Sequence, residues 1–363
     1  MPFPGVNVEV GNRNLLANID VPDAVPAIIM VTPEGSEGIT ALYGPDDSLP
    51  IARELHDFYN EVGGRVRLLL MRVVGTTPDL SKAFSTLLSR YPDVNLVAIL
   101  PDQLTHTYTK HGALCDEVSR DVSALKPILE GLQSQGTPVR VLYAGSLNLS
   151  NGEEISYNAK EAGNGYVSVL LGNVNGLSTS AIGIALGRAT KVAAHVKIGD
   201  GTLGPLSISD VYFSGKRYDE IGKEIVEQWH DKGFLTFMRR PGQEGWYFGV
   251  DNMCSNDDFS TLVHGRVIDK AQRIAIAAYM PYLETPVEMA DDGSIDAADA
   301  ESIAKVIESQ LRSRMGKQVS NVKVVVPREQ DLVNTHTLIV QVSVLPLGYN
   351  TWISVSLNLV SKL

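Results

Sequence analysis

VNLVAIL, residues 94–100, sets six apolar side chains against one asparagine, the composition of a strand buried on both faces. Upstream lies a helical stretch, 79–90, which follows the Thr77-Pro78 start. Before it comes another apolar run, VRLLLMRVV (66–74), then a helical stretch at 50–62 carrying Ile51, Leu55, Phe58, Tyr59 and Val62, then AIIMV (27–31). Downstream the order repeats: a helix over 115–135 ended by Gly136, a strand VRVLYA (139–144), and a further run YVSVLLGNV (166–174). Strand and helix alternate from about Ala27 to about Phe237. That order predicts an α/β fold, a mostly parallel sheet sandwiched between helices on both faces.

TSAIGIALGRATKVAAHV (179–196) predicts a helix of small residues, able to approach a neighbouring element closely. A helix over 217–232 and a strand FLTFMRR (234–240) follow. From Gly245 the character changes to α+β. WYFGVD (246–251) reads as a strand and Asn256 to Asp258 as a turn. A long helix is predicted over 259–283, with an adjustment at Pro281. Then come an acidic loop, Glu288 to Asp296, a helix over 297–315 closed by Gly316, and strands NVKVVV (321–326) and TLIVQVSVL (337–345).

Both ends of the chain carry short alternating patterns. Near the N-terminus Val6, Val8 and Val10 alternate with Asn7 and Glu9. After the breaker Pro346-Leu347-Gly348, Ile353, Val355, Leu357 and Leu359 alternate with Ser354, Ser356 and Asn358. A period of two fits a strand buried on one face. Two readings stand for the C-terminal one: a hairpin partner of 337–345, or a strand donated to a neighbouring chain's open sheet edge. The Val6–Val10 strand has the same capacity.

The totals weigh against several function classes. A formal charge of -11 over 363 residues argues against a nucleic-acid groove, which needs concentrated Lys and Arg. Two cysteines, Cys115 and Cys254, make no disulfide framework and read as buried small hydrophobes. The first residues have neither the basic start nor the apolar core of a signal peptide, and no apolar run approaches the roughly 18 residues of a membrane span. The expectation is synthesis and folding in the cytoplasm, without membrane insertion.

Chemistry is not written into the motifs. No G-x-S-x-G elbow and no Walker loop occurs. GDGTLG (199–204) and AGNGY (162–166) lack the strand–turn–helix setting of a phosphate cradle. His106 and His111 are five apart and do not share a helical face. The carboxylates of 288–301 miss the ligand positions of a calcium loop. No catalytic residue, metal or cofactor is expected, and the chain reads as no enzyme.

The segment GFLTFMRRPGQEGWYFGVDNMCSNDDFSTLVHGRVIDKAQRIAIAAYMPYLE (233–284), followed by a charged helix, VVVP (324–327) and a β-rich terminus, resembles contractile tail sheath proteins. STSAIGIALGRATKVAAHVKIGDGTLGPLSI (178–208) resembles their small-residue helix and following loop. The pattern departs from the commoner phage form, where a Gly-x-Arg-Thr box stands at the place of His264-Gly265-Arg266-Val267. The resemblance implies an N-terminal arm (1–20), an outward α/β domain (21–240), an inner sheath domain (241–346) and a C-terminal arm strand (347–363). It implies hexameric rings wound around a tube of a second protein, with baseplate and tail-terminator proteins at the ends, in a phage tail or injection particle. The residues expected to link subunits are Val6, Val8, Val10, Ile353, Val355, Leu357 and Leu359. The helix over 297–315 is the candidate tube-facing surface: Ile303, Val306, Ile307, Gln310, Leu311 and Met315 form one largely apolar stripe, with Glu301, Lys305, Glu308 and Arg312 opposite. Two other classes remain open, a small-molecule enzyme on a doubly wound sheet and another structural tail or baseplate component.

Overall fold

The structure is a computed structural model that describes residues 21–75, 78–102, 106–174, 180–351 and 354. In chain order the first half runs β1 (Pro26–Thr32), β2 (Gly38–Leu42), α1 (Ala52–Val62), β3 (Leu68–Val74), α2 (Leu80–Arg90), β4 (Leu96–Leu100), α3 (Asp116–Ser134), β5 (Arg140–Gly145) and β6 (Val167–Leu171). These strands form one sheet in the order β2-β3-β1-β4-β5-β6, parallel throughout except for β2, which pairs antiparallel to β3. The expected mostly parallel sheet is present. β4 and β6 are buried at every position, as strands covered on both faces must be.

The second half continues with β7 (Asn173–Val174), α4 (Ile182–Lys191), β8 (Val211–Phe213), β9 (Lys216–Arg217), α5 (Tyr218–Ile221), α6 (Lys223–Asp231), β10 (Phe237–Met238) and β11 (Tyr247–Phe248). It ends with α7 (Leu262–Tyr279), α8 (Ala297–Met315), β12 (Asn321–Val325), α9 (Leu332–Thr335) and β13 (Gln341–Leu345). β7, β8 and β9 form a small antiparallel sheet, while β10 pairs with β11 and β12 with β13 as antiparallel ribbons.

Local chemistry sets the boundaries. Asp79 caps α2 by accepting from Lys82 N at 3.0 Å, and Asp296 caps α8 by accepting from Ala298 N and Asp299 N. α8 spans the residues its periodicity predicts and stops at Gly316 in the left-handed region. The adjustment at Pro281 is a 3-10 turn, Met280–Tyr282. The helix expected over 217–232 is instead two, parted at Gly222 with φ +89°. Residues 234–240 form a ladder only at β10, because Leu235 turns to cover β6: its N–H donates to Val169 O and its carbonyl accepts from Leu171 N. The strand expected from Thr337 begins only at Gln341. Gln330 brackets Ile339, accepting from its N–H at 2.6 Å and donating to its carbonyl, and so holds it off the ladder.

The small-residue helix does what its composition predicts. Gly183 and Gly187 of α4 face α1, where a Cβ at Gly187 would stand 2.8 Å from the Phe58 carbonyl oxygen and 2.9 Å from Glu61 Cβ. Two main apolar cores result, besides a small cluster of Ile295, Ala300 and Val326. The larger surrounds the six-stranded sheet and takes in Trp229, Trp246, Phe248, Cys254 and Leu262. The smaller joins Val267, Ala271 and Ile274 of α7 to Ile307, Leu311 and Met315 of α8 and to Val322 and Val324 of β12, with Val21 beside them. Cys115 and Cys254 are both buried and free.

Candidate assembly interface

α7 carries the geometry that joins the two cores. Its apolar face belongs to the smaller one, and its other face is polar and fits the edge of the α/β body. Asp269 receives both Nε and a terminal nitrogen of Arg140, at 2.7 and 2.6 Å, while another Arg140 nitrogen donates to Gly165 O. Both side chains are buried, so the pair is desolvated and bidentate. A Cβ at Gly265 would stand 2.6 Å from Arg140 Nε, which is why a glycine precedes Arg266. Arg266 donates to Val192 O, Lys270 to Asp23 Oδ1 at 3.0 Å, and Arg273 to the carbonyls of Pro92, Val94 and Pro138. Burial pulls the Arg266 guanidinium down to about 10 and pushes the Asp251 carboxyl up to about 6, with Lys197 at 3.9 Å from Asp251.

Beyond this seam, no further strand pairs with the β12–β13 ribbon among the described residues. Val322 and Val324 face the smaller core and are buried, and their partners across the ladder are Val344 and Val342. Val342, although on that same face, is 37% exposed, and Leu345 is 59% exposed. The imbalance is that of an edge strand with nothing beside it among the described residues. A row of unpaired backbone groups next to part-covered valines is a template for one more strand.

The sequence-predicted residues fall as follows. Val6, Val8, Val10, Ile353, Val355, Leu357 and Leu359 lie outside the described residues. Glu301, Lys305 and Arg312 are exposed on α8 and Glu308 is half-exposed. They pair within the helix, Lys305 to Glu301 at 2.6 Å and Arg312 to Glu308 at 2.7 Å, while Ile307, Leu311 and Met315 turn inward. Ile303 and Val306 are half-buried rather than covered.

A doubly wound sheet places a small-molecule site where the strand order reverses, at the carboxyl ends of β1 and β4. There the described residues enclose a cavity of about 20 Å³ beside Val31, Ile99, Asp102, His106 and Glu117. That is room for a single water. His106 borders it, its pKa lowered by burial, whereas His111 bonds Ser119 Oγ at 2.8 Å. Among the described residues no three His, Cys, Asp or Glu side chains are grouped to hold a metal, and no helix is long and apolar enough to cross a membrane.

Sequence reasoning missed the polar face of α7 and the docking of Tyr349. The first had a signal: Arg266, Asp269, Lys270 and Arg273 recur at helical spacing between the apolar Val267, Ala271 and Ile274. Tyr349, whose OH donates to His195 O at 2.7 Å, had none.

The family model described as DUF2586, C-terminal domain, matches residues 258–363. No curated protein matches the sequence. Among solved structures, the sheath complex of an extracellular contractile injection system, PVC, in its contracted state is similar with a TM-score of 0.64 and 12% identity, over 100% of this chain and 99% of that one. A chain of the anti-feeding prophage (AFP) baseplate is similar with a TM-score of 0.63 and 17% identity, over 99% of both chains. The sheath tail protein of Desulfitobacterium hafniense is similar with a TM-score of 0.53 and 11% identity, over 94% of this chain and 100% of that one. At these identities the likeness is one of fold, and it runs the length of the chain.

Proposed function

We propose that the chain is a contractile sheath subunit, which polymerises in six-fold helical rings around an inner tube and shortens to drive that tube through a target envelope. The observation that carries the reading is the open β13 edge with Val342 left part-exposed on its core-facing side. Its occupant is a terminal strand of a second copy, through Ile353, Val355, Leu357 and Leu359, with the Val6–Val10 strand adding a further link. The full-length likeness in fold to sheath structures supports this. Main-chain hydrogen bonds in such a ribbon persist while looser contacts between bodies exchange, so energy stored at assembly replaces nucleotide hydrolysis.

The exposed charges of α8 face the tube in this reading. A contact that must release is best made of solvated, individually weak pairs. Synthesis is in the bacterial cytoplasm, with assembly into a phage tail or injection particle between a baseplate and a terminator. The division into an arm (1–20), an outer domain (21–240), an inner domain (241–346) and a second arm (347–363) belongs to the same reading. A second reading, a baseplate component, draws on the AFP baseplate likeness.

The test is removal of residues 350–363. The shortened chain is expected to stay folded and soluble by circular dichroism and to form no cylinders by negative-stain electron microscopy, where the full chain forms striated hollow ones. Ordinary cylinders from the shortened chain would overturn the role of the C-terminal strand.

A further inference from the structure

The two ends of the described chain are fastened to neighbouring residues of one short segment. At the N-terminal end, Asp23 Oδ1 accepts from Ala194 N at 2.9 Å and from Lys270 Nζ at 3.0 Å. At the C-terminal end, Tyr349 OH donates to the carbonyl of His195 at 2.7 Å. The Tyr349 ring lies 5.0 Å from Lys197 Nζ and 6.1 Å from the His264 ring. The segment they share is itself held: Arg266 donates to Val192 O, and Lys197 stands 3.9 Å from the buried Asp251. It is a braced platform at the start of α7.

The route from β13 to Tyr349 is short. Ser320 Oγ donates to Pro346 O at 2.9 Å, and Ser320 N donates to Leu345 O. Four residues then span at most about 14 Å to Tyr349. Among the described residues no backbone hydrogen bond joins 346–351 to β13, so this stretch does not turn back along it. It crosses to the α/β body and is pinned there.

We propose that Ala194 and His195 are a common anchor for both terminal segments, and that Tyr349 is the positioning residue that holds the C-terminal strand off its own β13. The proposal rests on the assembly reading above and deepens it: the latch reserves the β13 edge for a second copy. A strand tethered a few residues from an open edge has a high effective concentration for pairing with it. Fastening Tyr349 elsewhere rules out a tight turn and leaves only a longer, costlier reversal for such pairing. Because both roots attach one residue apart, tension on one terminal segment reaches the other through a single peptide unit, without passing through the sheet.

The experiment is peptide-resolved hydrogen exchange on the full chain, as dilute monomer and as assembled polymer, for the wild type, Tyr349→Ala and Tyr349→Phe. In the wild type, β13 is expected to exchange fast as monomer and slowly in the polymer. In Tyr349→Ala, β13 is expected to become protected already in the monomer, polymer yield to fall, and exchange at residues 21–25 to rise as the shared platform loosens. Tyr349→Phe keeps the ring contacts and loses one hydrogen bond, so its monomer shifts in the same direction by about fivefold in the pairing equilibrium. If both variants exchange and polymerise like the wild type, the latch is wrong. If β13 responds but residues 21–25 do not, the common anchor is wrong. A wild-type β13 equally exposed in dilute and concentrated protein would instead refute the assembly reading itself.

Discussion

The approach of α4 to α1 allows a sharp test of the fold. Gly187 sits inside α4 and Gly131 inside α3, and replacing either by alanine gains the same intrinsic helix preference, about 1 kcal/mol or somewhat less. Their surroundings differ. Around Gly131 nothing lies within 4 Å of an added Cβ, so Gly131→Ala is expected to stabilise by about 0.5–1 kcal/mol. At Gly187 the added carbon would meet the Phe58 carbonyl oxygen at 2.8 Å, roughly half an ångström inside ordinary contact, and the Phe58 Cα at 3.3 Å. Backbone cannot rotate aside as a side-chain tip can, so α1 and α4 have to part. Overpacking of this kind costs about 1–3 kcal/mol, leaving Gly187→Ala about 1–2 kcal/mol less stable than the wild type. The two variants should therefore lie about 2–3 kcal/mol apart. Urea melts followed by tryptophan fluorescence read this, since Trp229 and Trp246 are buried in the core those helices cover. A Gly187→Ala protein as stable as Gly131→Ala would refute the reasoning.

Two further outcomes follow from buried charge. Asp269→Ala strands the Arg140 guanidinium and is expected to cost about 3–5 kcal/mol in the same melts, whereas exchanging both partners for apolar residues of similar volume should recover much of it. Burial raises the Glu54 carboxyl from the ordinary range to about 6. Between roughly pH 4.5 and 6 the unfolded chain loses this proton before the folded one does, so this group's contribution to stability falls as pH rises through that window. Glu54→Gln should accordingly raise stability by about 1–2 kcal/mol at pH 7.5, raise it less at pH 5, and flatten the slope between; an unchanged slope in urea midpoints would count against the burial argument.

Much of the architecture was legible because it rests on period and punctuation. The strands at 27–31, 94–100 and 139–144 announce themselves by their apolar runs, and α8 by its stripe and Gly316. β2, GITAL at 38–42, went unread since a short edge strand needs neither alternation nor a continuous apolar run. The late start of β13 depends on Gln330 reaching Ile339, a side-chain contact that no local pattern encodes. The charged residues of α8 were legible as an exposed face because amphipathic spacing alone dictates it. The seam along α7 and the pinning of Tyr349 join residues more than a hundred positions apart, where one sequence offers residue types but no partners.

The two faces of α7 differ in how they respond to load. Its polar side is keyed: guanidinium forks seated on carboxylate and carbonyl oxygens lose their directed bonds after a shift of about an ångström. The side toward α8 is greased by valine, alanine, isoleucine and methionine, whose attraction depends on area covered and hardly on direction. Under shear the contact between α7 and α8 is therefore expected to give before the polar side of α7 lets go of the sheet.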